Sequence, residues 1–261
     1  MGPRVRRTLL AIPALPAAAV AVVATQLLRA AHRSDLPSFP NQDPSGVFGG
    51  SELPPLRIVA VGDSSITAPG VQDLDNAWVR RVAIRLADRF RVDLTSLAVG
   101  GSKARDVVEG QLGEALRLRP DVALVSVGAN DAMRAVSPAS YRASLTTIVE
   151  AFSAAGSGVV VFGMGDLASI PRMPASLRPV MSRRSREFDQ ICRQVVVAVP
   201  RAVKVHTQGR CTAAFFEDHG LFAGDLFHAG DAGHGVFADD AQDAVEAAIA
   251  VCARHGVTTP A

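Results

Sequence analysis

The sequence predicts an α/β protein in three layers, with a mainly parallel five-stranded sheet covered by helices on both faces. Three observations lead there. Short apolar runs with almost no polar interruption recur along the chain, as strands buried on both faces require. Between them lie longer stretches with helical spacing, and strand–helix alternation is the signature of a parallel sheet. With 48% of its 261 residues apolar, the chain also carries enough hydrocarbon for one sizeable core.

The first run, 58–61, is continuous and ends at Gly62. Trp78, Val82, Ile84 and Leu86 follow at near-helical spacing, then 92–97 is a second strand and a helix starts near Ala104. Residues 122–127 form the third strand, and 141–155 a helix stopped by Gly156 and Gly158. The fourth strand is 159–162, and the helix 183–199 is closed by Pro200. A fifth strand is expected at 202–206 and a mostly helical stretch at 232–253. No internal repeat is present.

Upstream, Arg4, Arg6 and Arg7 precede an apolar stretch over 9–28, interrupted by Pro13, Pro16, Thr25 and Gln26. A basic leader before such a run is the pattern of an export signal or N-terminal membrane anchor. Residues 1–31 are therefore expected to send the chain out of the cytoplasm, secreted or held on the outer face of the cytoplasmic membrane. Residues 32–55, rich in Pro, Gly, Ser and Asp, are expected to be a flexible linker. The folded domain is then 56–261. A formal charge of +2 gives no reason to expect nucleic acid as a partner. Cys192, Cys211 and Cys252 allow one bridge, with Cys192–Cys211 the first pair to test, or three thiols. Their spacing suggests no metal site.

In parallel sheets chemistry gathers where strands end at their carboxyl side. The first run ends in Gly62-Asp63-Ser64-Ser65, where a serine can be presented at the sheet edge. The second is followed by Gly100-Gly101-Ser102, where glycines let a backbone N–H approach a ligand. The third is followed by Gly128-Ala129-Asn130-Asp131, and the Asn130 amide could face a developing oxyanion. Late in the chain stands Gly224-Asp225-Leu226-Phe227-His228, whose Asp-x-x-His spacing lets a carboxylate reach one ring nitrogen of a catalytic base. Singly, each is as good a cap or turn. Together they supply nucleophile, base, orienter and oxyanion donors.

With these blocks in this order, the chain resembles the SGNH/GDSL hydrolase family over roughly residues 57–253. Gly70 to Leu86, with Trp78, also looks like the stretch following the nucleophile in bacterial members. The resemblance implies a flavodoxin-like fold and a triad of Ser64, Asp225 and His228. It also implies an oxyanion hole from Ser64, Gly101 and Asn130, and no metal or organic cofactor. Three positions depart from the family pattern: Ser96 stands for an Asn, Ala229 for a Pro, and Ser65 for a Leu.

Other histidines compete. His206 and His219 lack an Asp three residues earlier and are taken as structural or solvent-facing. His234 does follow Asp231 at the same spacing, but Asp231 is expected to cap the last helix, which leaves His228 as the base. Asp63 is expected to hold the turn by accepting backbone hydrogen bonds. The implied activity is that of a serine esterase acting on small-molecule or lipid esters, declining toward acid as a histidine near 6.5 protonates. Alternatives are an acyltransferase with the same triad and a non-catalytic tethered binding protein. Specificity should come from the loops 166–184 and 208–224. The first carries Ile170, Pro171, Met173, Pro174 and Leu177, an acyl pocket or its cover. With a single Trp and a single Tyr, no sugar-stacking platform is visible.

Overall fold

The computed structural model describes residues 33–252, together with Thr25. Its sheet has six strands: β1 (Gly46–Phe48), β2 (Pro55–Gly62), β3 (Arg91–Ser96), β4 (Val122–Ser126), β5 (Gly158–Phe162) and β6 (Ala202–Val205). They lie in the order β1-β3-β2-β4-β5-β6, with β2 to β6 parallel and β1 antiparallel to β3. Nine α-helices occur among the described residues: α1 (Ser64–Thr67), α2 (Trp78–Leu86), α3 (Ala104–Gly110), α4 (Leu112–Arg117), α5 (Ala129–Met133), α6 (Pro138–Ala154), α7 (Arg178–Ala198), α8 (Arg210–Glu217) and α9 (Asp231–Val251).

The strands alternate their side chains between two cores, as a period of two demands. Val59, Val61, Ala123, Val125, Val159 and Val161 pack on Tyr141, Leu145, Phe152 and Phe188 of α6 and α7. Ile58, Ala60, Val122, Leu124 and Val160 pack on Trp78, Val82, Leu86 and Val245 of α2 and α9. Because helices cover both faces, β4 and β5 are buried at every position, hence their unbroken apolar sequences.

Two expectations are corrected. The sheet has a sixth strand, and it comes from the stretch read as a linker. Gly46, Val47 and Phe48 pair with Leu94, Asp93 and Val92, so the ordered domain begins well before residue 56. A three-residue edge strand is held by backbone pairing and leaves no apolar run to find. The helices α6 and α7 also begin earlier than their apolar spacing indicates. Ser137 Oγ accepts the Ser140 N–H at 3.1 Å and Pro138 opens α6, while Pro179 lies in the first turn of α7. The apolar stretch over 9–28 lies, Thr25 apart, outside the described residues. No helix among the described residues is long and apolar enough to cross a membrane.

From β2 the chain crosses to β3 on one side, and from β4 to β5 on the other. The crevice at the carboxyl ends of β2 and β4 is thus the topological switch point, where open α/β sheets bind ligands.

Candidate active site

The turn after β2 is fixed from several directions. Gly62 has φ +149°, and a Cβ there would lie 1.9 Å from the Ser126 carbonyl oxygen, so only glycine lets β2 and β4 end this close. Buried Gln111 pairs both Gly62 backbone groups: its Oε1 accepts the N–H at 2.8 Å and its Nε2 donates to the carbonyl at 3.0 Å. Asp63 caps α1, accepting the Ser65 N–H at 3.0 Å. Ser64 is the first residue of α1, a position whose N–H has no intrahelical acceptor. Among the described residues, neither the Ser64 nor the Gly101 N–H donates to an acceptor. Ser65, standing where the family often has Leu, is held by Asp63 Oδ1 at 2.8 Å and Ser126 Oγ at 2.6 Å. The Trp78 indole N–H donates to the Ser65 carbonyl at 2.8 Å.

Asn130 opens toward the same place from β4. Gly128, at φ +130°, leaves no room for a side chain beside Met164 and Tyr141. The Asn130 amide donates to Asp63 Oδ2 at 3.2 Å, which leaves its second N–H available. Gly101, at φ +83° in the turn after β3, is tied in through Asp131, whose Oδ2 accepts the Ala104 N–H at 3.0 Å. Burial pushes the Asp63 carboxyl up, against hydrogen bonds from Ser65 and Asn130. Burial likewise pushes Asp131 up to about 6, against the Ala104 N–H.

The expected base and its orienter meet. Asp225 Oδ2 lies 2.6 Å from His228 Nδ1, and its Oδ1 accepts the Phe227 and His228 N–H groups, both at 3.0 Å. A left-handed Leu226 (φ +57°) bends the chain between them. The Ala223 N–H donates to the His228 carbonyl at 2.7 Å, closing the loop. The ring nitrogen facing away from Asp225 is Nε2.

His234 is arranged differently. Its Nδ1 accepts the Trp78 N–H at 3.2 Å. Burial, with help from Arg81 and His228 and against Asp231, holds its imidazole down at about 3. Asp231 does not cap its own helix as expected, since Gly230 is the cap residue and has no side-chain bond. Its carboxylate reaches instead across to the Asn76 amide at 2.8 Å and the Gln72 and Asp73 N–H groups at 3.1 and 3.3 Å. Burial alone would raise this carboxyl, but those donors outweigh it and hold it low. His206 and His219 are exposed, as expected.

Ser64, Asn130, His228 and His234 line one cavity of about 180 Å³, while Asp225 and Gly101 stand outside its wall. Its apolar wall draws on Phe162, Met164, Ile170, Phe215, Phe222, Phe227 and Phe237. Both expected loops contribute, through Leu167, Ser169 and Ile170 and through Cys211, Thr212, Phe215 and Phe222. Pro171, Met173, Pro174 and Leu177 do not. Thr207 also lines it, with a buried hydroxyl that has no partner among the described residues. The phenylalanines, Gln111 and Ser126 escaped the sequence reasoning, because nothing local distinguishes them before the strands bring them together. All three cysteines are buried and Cys192 and Cys211 are not bridged to one another, and burial raises the Cys192 and Cys211 thiols to about 12. No group of three or more metal-ligating side chains gathers among the described residues.

Comparison with known proteins bears on the family and the fold. The sequence matches the GDSL-like lipase/acylhydrolase family over residues 60–236. No curated protein sequence matches. Among solved structures, LAE5, an α/β hydrolase from the metagenome of Lake Arreo, Spain, is similar at 23% identity. It covers 75% of this chain and 97% of its own, with a TM-score of 0.59. The acetylxylan esterase Axe2 of Geobacillus stearothermophilus, as a catalytic mutant, is similar at 18% identity, 75% and 96% coverage and a TM-score of 0.56. The psychrotrophic esterase EstA of a Pseudoalteromonas species, inhibited by monoethylphosphonate, is similar at 18% identity, 73% and 96% coverage and a TM-score of 0.56.

Proposed function

The chain belongs to the GDSL-like lipase/acylhydrolase family and is an ester-hydrolysing enzyme; on that premise we propose that it cleaves carboxylic esters through an acyl-Ser64 intermediate. The observation that carries this reading is the 2.6 Å bond between Asp225 and His228 Nδ1, which leaves Nε2 for a serine lining the same cavity.

His228 Nε2 takes the Ser64 proton as Oγ bonds to the ester carbonyl carbon. The oxyanion is met by the Ser64 and Gly101 N–H groups and the second Asn130 amide N–H. The imidazolium, stabilised by Asp225, then gives its proton to the departing alcohol. Water attacks the acyl-enzyme with His228 again as base, and the acid leaves as Ser64 regains its proton. Asp63 acts through Asn130, fixing the amide that faces the oxyanion.

The substrate is a small-molecule or lipid ester with an apolar acyl group of short or medium length. The phenylalanine-rich wall supports an apolar acyl group. A volume of about 180 Å³, below the roughly 300–1,000 Å³ of drug-sized sites, supports a limited one. Residues 1–31 serve as export signal or anchor, on the strength of the basic leader and apolar run.

The test uses a fluorophosphonate probe, apt because EstA is inhibited by monoethylphosphonate. The probe is expected to label the full-length protein at Ser64 and to leave Ser64→Ala unlabelled and inactive on p-nitrophenyl esters. A wild-type rate in pure Ser64→Ala would overturn the mechanism.

A further inference from the structure

The nucleophile helix α1 is only four residues long and closes with a single turn, Ala68 N–H to Ser64 carbonyl at 3.0 Å. Isolated turns of this length do not hold themselves. Its end is also strained, because Ala68 adopts a left-handed conformation at φ +47°. Asp63, Ser126 and Trp78 hold its first residues, and the support at its far end comes from upstream of the family match at 60–236.

Gln42 clamps the far end of α1. Its backbone N–H donates to the Thr67 carbonyl at 2.8 Å, and its side-chain Nε2 donates to the Ala68 and Val71 carbonyls at 3.0 and 2.9 Å. Asn41 joins that helix to the neighbouring turn. Its Oδ1 accepts the hydroxyl of buried Thr67 at 2.6 Å. The same amide lies over Gly100, so close that a Cβ there would be 2.1 Å from Oδ1 and 2.5 Å from Nδ2. Ser45 Oγ accepts the Ser96 N–H at 2.9 Å, at the position where the family usually places an Asn. Pro37 and Phe39 rest against Gly224, next to Asp225, and Phe39 against Gly70.

We propose that Asn41 and Gln42 form a positioning latch that holds α1 against the Gly100–Gly101 turn and so sets the spacing of two oxyanion donors. Those donors are the N–H groups of Ser64, three residues before Thr67, and Gly101, one residue after Gly100. The latch touches no substrate. It acts on the transition state, where displacement of a catalytic group by even 1 Å can cost about a hundredfold in rate. It rests on the acyl-serine reading above and extends it to a segment the family match does not include.

The test uses full-length protein with Asn41→Ala, Asn41→Asp and Gln42→Glu, measuring kcat, KM, the rate of fluorophosphonate labelling and the melting temperature. Asp at 41 keeps the acceptor for Thr67; Glu at 42 keeps the size but turns an acceptor toward two carbonyls. The expected result is a fall in kcat and labelling rate of about tenfold for Asn41→Ala and Gln42→Glu, with KM within about twofold. Asn41→Asp should recover most of the loss. The latch is overturned if the folded Asn41→Ala and Gln42→Glu proteins keep wild-type kcat, or if rate loss follows only the unfolded fraction at the assay temperature. It is overturned equally if Asn41→Asp is as slow as Asn41→Ala. Failure of the wild-type protein itself to label at Ser64 would instead sink the underlying reading.

Discussion

Two Asp-x-x-His pairs lie six residues apart in this chain, and both histidines line the same cavity. Asp225 bonds the ring of His228 at 2.6 Å, whereas Asp231 turns away to Asn76, Gln72 and Asp73. The difference is backbone. The first pair spans an irregular loop bent by a left-handed Leu226, which brings carboxylate and ring together. The second lies in the first turn of α9, whose N-terminus faces the 72–76 turn, so that donors there capture the carboxylate. His228 keeps an Nε2 unengaged among the described residues. His234 is a buried neutral acceptor for the Trp78 N–H, held at about 3 chiefly by burial. Identical spacing thus yields a candidate base in one place and a structural pin in the other.

The largest expected effect separates the two by activity. His228→Ala should lower kcat on a p-nitrophenyl ester by on the order of 10⁴-fold or more, because base and nucleophile act as a unit. Its urea midpoint should stay near that of the wild type, since the ring is partly exposed. If the loss were under tenfold, the base would have to be sought elsewhere, with His234 the first candidate.

The reverse holds for His234→Ala. Removing a ring that is 2% exposed leaves a cavity and strands the Trp78 N–H, at a cost of about 3–4 kcal/mol in unfolding free energy. Activity per folded molecule should stay within several-fold of wild type. A stable but inactive His234→Ala would break the comparison.

Acid sharpens it further. An imidazole at about 3 when folded and near 6.5 when unfolded means the unfolded chain binds more protons between those values. Its stability contribution is therefore complete above about 6.5 and is lost as pH falls toward 3. Asp131, pushed up to about 6, works in the opposite sense, since the folded state holds the extra proton between about 4 and 6. Comparing wild type with His234→Ala cancels Asp131. The stability gap between the two should shrink by about 3 kcal/mol from pH 7 to pH 4, measured by urea unfolding at each pH. A constant gap would mean that His234 is not held neutral.

Much of this site was legible because strands buried on both faces leave continuous apolar runs, and those runs point to Gly62 and Gly128 as places where chemistry begins, while the alternating β3 leads to Gly100. Asp225 and His228 were legible because both sit in one short loop. Asp231 misled, because a carboxylate at a helix start normally caps its own helix, and nothing local announces that Asn76 will compete for it. The cavity wall stayed hidden for a related reason. Phe162 closes a strand while Phe215 and Phe237 sit in separate helices, and only the packing of helices on the sheet makes them neighbours. Residues 37–48 were hidden most completely. Their contribution runs through backbone pairing and amide side chains, which leave no periodicity.

The smallest effect is the most discriminating, because it asks whether Asp231 has any part in catalysis. Asp231→Asn retains one oxygen to accept from the 72–76 turn but loses the charge and turns an amide toward donors. It should cost about 1 kcal/mol at neutral pH, the net worth of a partly exposed hydrogen-bonded carboxylate. The folded carboxyl is held below its usual range, so that stability is present above an unfolded pKa of about 3.9 and is lost as pH falls through the folded value. Below it, wild type and Asp231→Asn should converge. Across the neutral range kcat should remain within about twofold, because the carboxylate neither bonds the ring of His234 nor reaches His228. A tenfold loss in kcat without a matching loss in stability would show that Asp231 acts on the reaction through His234. The two pairs would then be one extended network rather than a base and a pin.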